Sequence, residues 1–177
     1  PDDMNEKPLF ANFLKFIRAF ATFLTLLLPG LYIAITSFHQ EFLPTELLFS
    51  ILASRENVPF PSFAEIFLLE ISFELIREAG LRVPSPLGPT IGIVGALVLG
   101  QAAVSAGVVS PILVIVVAIP GISSFAIPDY SFGLHVRITR FVFIFLGYLC
   151  GFLGIALGLF VYLSMMAGTT SFGVPYM

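Results

Sequence analysis

The sequence carries very little charge. Only 11% of its 177 residues are charged and 58% are hydrophobic, whereas a soluble domain is about a quarter charged. A soluble core of this length cannot hide so much apolar surface, so we expect the lipid bilayer to be the solvent. The formal net charge of −3 excludes the strongly basic surface that nucleic acid binds, so nucleic acid is not an expected partner.

The sequence also lacks the usual marks of an enzyme. Its one cysteine, Cys150, lies in an apolar run and can form no internal disulfide. We find no glycine-rich phosphate loop, no zinc-ligand spacing and no arrangement of a nucleophile with a base. The two histidines, His39 and His135, each lie beside a predicted membrane boundary, where interface residues are expected. We therefore expect no catalysis, no cofactor and no metal site.

Long uncharged runs predict the fold class. A transmembrane helix needs about 20 apolar residues, and the sequence predicts spans at 19–38, 88–109, 111–128 and 141–167. A fifth segment, 60–79, contains three interior glutamates that cost about 2.5–3.5 kcal/mol each on insertion, more than its apolar residues recover. The prediction is an all-α, polytopic integral membrane bundle with four to five transmembrane helices and short amphipathic helices, as a single domain over residues 1–177.

Two further features of the sequence bear on the topology. The stretch "PTELLFSILASRENVPFP" predicts a short amphipathic helix with Leu47, Leu48, Ile51 and Leu52 on its apolar side. Pairs of basic residues flank the apolar segments at Lys15 and Arg18, Arg77 and Arg82, and Arg137 and Arg140. The positive-inside rule places all three pairs in the cytoplasm if 60–79 crosses the membrane, and one pair outside if it lies flat.

Acidic residues are concentrated in "EIFLLEISFELIREAG", residues 65–80. Helical spacing places Glu70, Glu74, Arg77 and Glu78 on one face. A ring of such carboxylates attracts cations, so Glu65, Glu70, Glu74 and Glu78 are candidates for a pore or its vestibule. Gln101 and Ser105 are a second possible polar lining. The other interpretation is an amphipathic helix in the headgroup region with solvated acids.

Small residues recur at helical spacing in two segments. They are Gly88, Gly92, Ala96 and Gly100 in one, and Gly147, Gly151, Gly154 and Gly158 in the other. Small residues allow close helix contact in lipid, so these positions are predicted to pack helices within one chain or between subunits. Pro29–Gly30 and Pro120–Gly121 lie inside predicted spans and are expected to be kinks or hinges.

Taken together, several motifs resemble one family. "LPGLYIAITSFHQEFLPTELLFSI", "SRENVPFP", "EISFELIREAGLRVP", "IGIVGALVLGQAAVSAGVVSP", "SSFAIPDY" and "SFGVPY" follow one another in the sequence. From about residue 8 to the end, this order resembles the A subunits of GerA-type spore germinant receptors. The chain starts at Pro1, so we expect it to be the membrane region of a longer protein that also has an N-terminal soluble region and a C-terminal tail.

The resemblance implies a multi-pass protein of the spore inner membrane. Its expected partners are the lipid bilayer, further copies of itself, a transporter-like B subunit, a lipoprotein C subunit and monovalent cations. The implied function is a nutrient-gated cation channel that triggers germination, and a paralogue that amplifies the response is also consistent with it. A secondary transporter and a non-conducting scaffold for the sensing subunit are the alternatives.

Overall fold

The structure, a computed structural model, describes residues 8–81, 88–168, 170–171 and 174–175. Six α-helices account for most of these residues. They are α1 (Pro8–Phe38), α2 (Thr45–Arg55), α3 (Ser62–Leu81), α4 (Gly88–Ser105), α5 (Pro111–Ser123) and α6 (Tyr130–Gly168). Short 3₁₀ turns lie at Gln40–Phe42 and Ser124–Ala126, and Thr170–Ser171 pairs antiparallel with Val174–Pro175. The all-α prediction is confirmed.

The helix ends follow local sequence signals. Pro44 precedes α2, and α5 begins at Pro111 directly after Ser110, whose side chain accepts a hydrogen bond from the Leu113 N–H. A serine cap followed by proline is a favourable helix start. The N–H that the serine accepts from has no partner inside the helix, and proline has no N–H that would need a partner. In α2, Ile51 is buried while Leu47 and Leu52 are exposed.

Helix α1 lies at the centre of the bundle and contacts two apolar clusters. The first joins Leu26, Leu27 and Ala34 of α1 to Val136, Phe143 and Ile155 of α6. The second joins Ile33 of α1 to Ile66 and Leu69 of α3, Leu113 and Val117 of α5, and Ile144 of α6. Helix α4 packs on α3 and α5 at the outside. The bundle therefore places α3 and α6 on neighbouring sides of α1.

Helices α1 and α6 approach at two glycines. A Cβ atom on Gly147 would lie 2.5 Å from the Gly30 carbonyl oxygen, and one on Gly30 would lie 2.6 Å from the Phe143 carbonyl oxygen. No side chain fits at either distance without displacing backbone. The absence of a side chain at both positions is what allows the two helices to pack backbone to backbone.

Helix α6 folds back on itself at Gly151. That residue has φ 59° and ψ −140°, a conformation that interrupts the helix and that glycine adopts far more readily than other residues. The rings of Phe143 and Tyr162 lie 6.5 Å apart, although 19 residues would separate them by about 28 Å along a straight helix. Residues 130–150 and 152–168 therefore form two arms of a hairpin, and the predicted span 141–167 contains its bend.

Replacing Gly151 with alanine should destabilise this hairpin. The backbone conformation of Gly151, with φ 59° and ψ −140°, costs a residue with a Cβ about 1–3 kcal/mol, and the added Cβ would lie 3.2 Å from His39 Cε1 and 3.3 Å from Phe38 Cβ. We expect Gly151→Ala to unfold at lower temperature in detergent. Gly133→Ala is the control, because its Cβ would meet only ordinary contact with Ile127 at 3.8 Å. Equal stability of the two variants would contradict the observed bend.

Two of the described helices, Phe10–Phe38 and Tyr130–Gly168, are long and apolar enough to cross a membrane by length and composition. Shorter apolar helices cover Gly92–Ser105 and Pro111–Ala126. Large apolar side chains are widely exposed, with Phe16 at 69% and Leu97 and Phe160 at 71%. Only these two of the described helices have the length and composition of a membrane span. The predicted number of four to five transmembrane helices is therefore not confirmed.

The other predicted packing positions have different surroundings. The Gly88 carbonyl oxygen lies 2.7 Å from a Cβ built on Gly80, and a Cβ on Gly100 would lie 3.0 Å from Val114. Gly92 has no atom within 4 Å of such a Cβ, and Ala96 lines a groove. In the second arm of α6, Cβ atoms on Gly154 and Gly158 would each lie 2.5 Å from atoms of Leu146.

Candidate functional site

Helices α3 and α6 meet side by side in antiparallel directions. At one end of the contact, Phe63 of α3 stacks on Tyr148 of α6 with ring centroids 4.4 Å apart. One turn further along α3, Phe67 meets Phe145 edge to face at 5.9 Å. Because these aromatic pairs fix the register of the two helices, the acidic residues that follow Phe67 come to lie opposite the basic residues that precede Phe141.

Two carboxylates of α3 form ion pairs with two arginines of α6. Glu70 Oε2 lies 2.7 Å from Arg140 Nη2, and Glu74 Oε1 accepts a hydrogen bond of 2.7 Å from Arg137 Nη1. Arg140 Nη2 also lies 3.9 Å from Glu74 Oε2. The side chains of Glu70 and Arg140 are 0% and 3% exposed, whereas that of Glu74 is 33% exposed. The ion pairs therefore run from the interior of the bundle toward its surface.

Glu65 belongs to a separate buried contact. Its Oε1 lies 3.3 Å from Arg55 Nη2 of α2, and its Oε2 accepts a 2.9 Å hydrogen bond from the Ser110 N–H. Ser110 is the N-cap of α5, so the carboxylate lies at the positive end of that helix. Glu65 thereby connects α2, α3 and the start of α5, and we found no signal for this pairing in the sequence.

Arg77 attaches α3 to the other end of α5. Its guanidinium donates to Ser124 Oγ at 2.5 Å and to the Gly121 carbonyl oxygen at 2.7 Å, and it lies 4.6 Å from the centre of the Phe125 ring. Pro120–Gly121, predicted as a kink or hinge, thus lies in the last turn of α5. The Gly121 carbonyl, near the helix end, is satisfied by Arg77 and by Ser124.

The remaining predicted pore residues lie on the surface. Glu78 is exposed at the end of the acidic face, and Gln101 and Ser105 are exposed on α4. The sequence prediction did not pair Arg55, Arg137 or Arg140 with any acid. A signal for two of them exists: Arg137 and Arg140 are about one helical turn apart, as are Glu70 and Glu74. Matching charges on two apolar helices could have indicated their contact.

Among the described residues, a groove and a larger cavity open on the bundle surface. One groove of ≈ 330 Å³ lies between α3, α4 and α5, is mostly apolar, and contains Arg77 and Gln101. A larger one of ≈ 940 Å³ lies between the arms of α6, with His135, Thr139 and Tyr162 among its polar residues. Within residues 8–81 and 88–168, no group of three or more His, Cys, Asp or Glu side chains is placed to hold a metal ion.

Comparison with known proteins identifies the family. The family model of the Bacillus/Clostridium GerA spore germination protein matches residues 1–177. The chain is 48% identical over 176 residues to spore germination protein A1 of Bacillus subtilis (strain 168), covering 99% of this chain and 36% of the relative. It is 46% identical over 167 residues to spore germination protein KA of the same organism, covering 94% of this chain and 31% of the relative.

A third relative, the uncharacterised membrane protein YfkQ of Bacillus subtilis (strain 168), is 42% identical over 176 residues, covering 99% of this chain and 34% of the relative. The chain therefore spans 31–36% of the length of these three relatives. The comparison with solved structures found no significant match. The match of the family model over the whole chain confirms the resemblance seen in the motifs, and the chain belongs to the GerA family of spore germination proteins.

Proposed function

We propose that this chain is the membrane region of the A subunit of a spore germinant receptor, and that it assembles with further copies of itself around a path for monovalent cations. It would act in the spore inner membrane together with a transporter-like B subunit and a lipoprotein C subunit. Membership of the GerA family supports the role in germination. Family membership does not show cation passage, which we infer from the positions of the charged side chains.

The acidic face of α3, formed by Glu70, Glu74 and Glu78, is the observation that supports this proposal. Charged side chains inside a membrane bundle are costly, and they face the bundle interior or a water-filled path where they occur. Here Glu65 and Glu70 are buried, Glu74 is partly exposed and Glu78 is exposed, so the carboxylates form a row from the interior to the surface. We assign the path to Glu74 and Glu78, and we assign Glu65 and Glu70 to holding the helices together.

The fold-back of α6 supports a multi-pass topology. Its arms of 21 and 17 residues, 130–150 and 152–168, correspond to lengths of about 31 and 25 Å. Both are close to the roughly 30 Å hydrocarbon thickness of a bilayer. We propose that each arm crosses the membrane, that α1 does so as well, and that α3, α4 and α5 complete the bundle around them.

Removing the charge of Glu78 should lower cation flux. We expect Glu78→Gln to reduce potassium release from liposomes containing the full-length protein and its partner subunits by about tenfold, because local negative potential raises the concentration of cations at an entrance. The measurement is nutrient-triggered potassium efflux. Glu46→Gln is the matched control, since Glu46 is an exposed glutamate in the first turn of α2 and lies off the acidic face.

A non-conducting scaffold is the second candidate function. It is favoured by one observation: Glu65, Glu70 and Glu74 all form ion pairs with arginines, which neutralise much of the acidic face. Liposomes that contain the complete receptor and bind nutrient without potassium efflux would support the scaffold. Efflux that is the same in wild type and Glu78→Gln would remove Glu78 from the path.

A further inference from the structure

Arg137 of α6 lies between two groups that attract a guanidinium. Its Nη1 lies 2.7 Å from Glu74 Oε1 on α3. Its Cζ lies 6.0 Å from the centre of the ring of Tyr130, the first residue of α6. A cation within about 6 Å of the centre of an aromatic ring is attracted to its face, so this second contact is at its outer limit. In the structure, Arg137 is therefore bound to Glu74 and only weakly held by Tyr130.

The exposures of these side chains show from which side Arg137 reaches the acid. The Arg137 side chain is 7% exposed and that of Glu74 is 33% exposed, so the guanidinium approaches from the interior and leaves the other side of the carboxylate open. The second oxygen of Glu74 lies 3.9 Å from Arg140 Nη2. A fixed positive charge beside a cation path repels cations. In this arrangement the charge of Glu74 is neutralised.

We propose that Arg137 is an inhibitory counter-charge, which neutralises Glu74 while the cation path is closed and withdraws to the Tyr130 ring when the path opens. The inference rests on the proposed function, which assigns Glu74 to the path. The ion pair itself is observed. Only one side chain moves in this step, so the aromatic pairs that fix the register of α3 and α6 stay in place.

The two positions of Arg137 are close in free energy. An ion pair contributes less to stability as more water reaches it, and the carboxylate of Glu74 is partly solvated. A cation–π contact at an exposed ring is a similarly weak interaction, and the Tyr130 side chain is 63% exposed. A signal from a partner subunit therefore needs only a small difference in affinity for the two states to shift their populations.

Arg140, by contrast, is not free to move in this way. Its partner Glu70 is 0% exposed and lies 2.7 Å away. A buried carboxylate that loses its counter-charge is strongly unfavourable. The different burial of Glu70 and Glu74 therefore separates a structural ion pair from a regulatory one, and Arg137 is the arginine that can withdraw.

Removing the charge of Arg137 should open the path without nutrient. We expect Arg137→Met to raise potassium efflux in the absence of nutrient about tenfold over wild type, because the negative potential of Glu74 then concentrates cations. The measurement uses liposomes that contain the full-length protein and its partner subunits. Arg137→Lys keeps a positive charge near Glu74 and should remain at the wild-type level. Lys15→Met is the matched control, since it removes one positive charge from an exposed position of α1.

Two readouts distinguish a released carboxylate from a disturbed bundle. The double variant Glu74→Gln/Arg137→Met should return to wild-type efflux, because no charge remains at position 74. The efflux of Arg137→Met should also carry potassium and not chloride, since a carboxylate repels anions. Efflux that persists in the double variant, or that passes chloride equally, would overturn the proposal.

A variant of Tyr130 tests the withdrawn position. Tyr130→Leu should lower nutrient-triggered potassium efflux by about two- to fivefold, the factor that corresponds to a cation–π contact at an exposed site. Efflux equal to wild type would reject the Tyr130 position.

The same liposomes separate this inference from the proposed function. Nutrient-triggered efflux in wild type without any leak in Arg137→Met would retain the channel and reject the inhibitory role. No efflux from wild type or from any variant would reject the cation path, and the inhibitory role with it.

Discussion

Replacing Arg140 with methionine should lower the free energy of unfolding by about 3–5 kcal/mol, because it leaves a buried charge without its partner. Glu70 is 0% exposed and its carboxylate lies 2.7 Å from Arg140. Without the guanidinium, Glu70 must take up a proton or draw water into the bundle, and each of these costs free energy. The measurement is unfolding of the detergent-solubilised protein by denaturant titration, followed by helical circular dichroism.

The double variant Glu70→Leu/Arg140→Met provides the decisive comparison. Replacing both members of a buried ion pair with apolar residues of similar volume is often neutral or stabilising, so we expect stability within about 1 kcal/mol of wild type. Arg137→Met is the matched control on the same helix. Its partner Glu74 is 33% exposed, so water can solvate the carboxylate and the loss should be about 1 kcal/mol. Equal losses for Arg140→Met and Arg137→Met would contradict the burial of the Glu70 pair.

This result bears on how neutralising variants of the acidic face are interpreted. Loss of potassium flux in Glu70→Gln would follow from a disturbed bundle as readily as from a disturbed path, because Arg140 would lose its 2.7 Å partner. Glu78 is exposed, so replacing it with glutamine changes the charge at the surface rather than in the buried interior of the bundle. Flux through Glu78→Gln is therefore more informative about the cation path than flux through Glu70→Gln.

The sequence predicted the acidic face, but not what neutralises it. Helical spacing is a local property, so Glu70, Glu74 and Glu78 could be placed on one face of α3 from their positions alone. The partners Arg137 and Arg140 lie more than sixty residues away in the chain, and the pairing depends on which helices are neighbours. Basic residues are also expected beside apolar segments at membrane boundaries. That expectation explained Arg137 and Arg140 without any acidic partner.

The bend in α6 was missed for a related reason. Residues 141–167 are uninterrupted by charge or proline, and both a straight helix and a hairpin of two helices satisfy that pattern. Gly151 belongs to a series of glycines at helical spacing, and small residues are common wherever membrane helices pack. A series of this kind indicates close packing, but it does not identify which glycine has a positive φ.

The same limit applies to the two glycine series, and alanine substitutions can separate their members. Gly147→Ala should destabilise the bundle by about 3 kcal/mol, at the upper end of the range for overpacking. The new Cβ would lie 2.5 Å from the Gly30 carbonyl oxygen and 3.1 Å from its carbon. These are backbone atoms of α1, which cannot rotate away as a side chain could, so the two helices must separate. Denaturant titration in detergent measures the loss.

Gly92→Ala is the matched control for Gly147→Ala, because it makes the same chemical change in another helix of the same chain. A Cβ on Gly92 would meet no atom within 4 Å, and alanine stabilises a helix by up to about 1 kcal/mol relative to glycine. We therefore expect Gly92→Ala to be neutral or slightly stabilising in the protein alone. If it instead disrupted assembly of the receptor while leaving the subunit stable, Gly92 would pack against another subunit. Equal destabilisation by both substitutions would contradict the close contact of α1 with α6. The effect would then depend on the position of a glycine in its sequence series and not on the atoms around it.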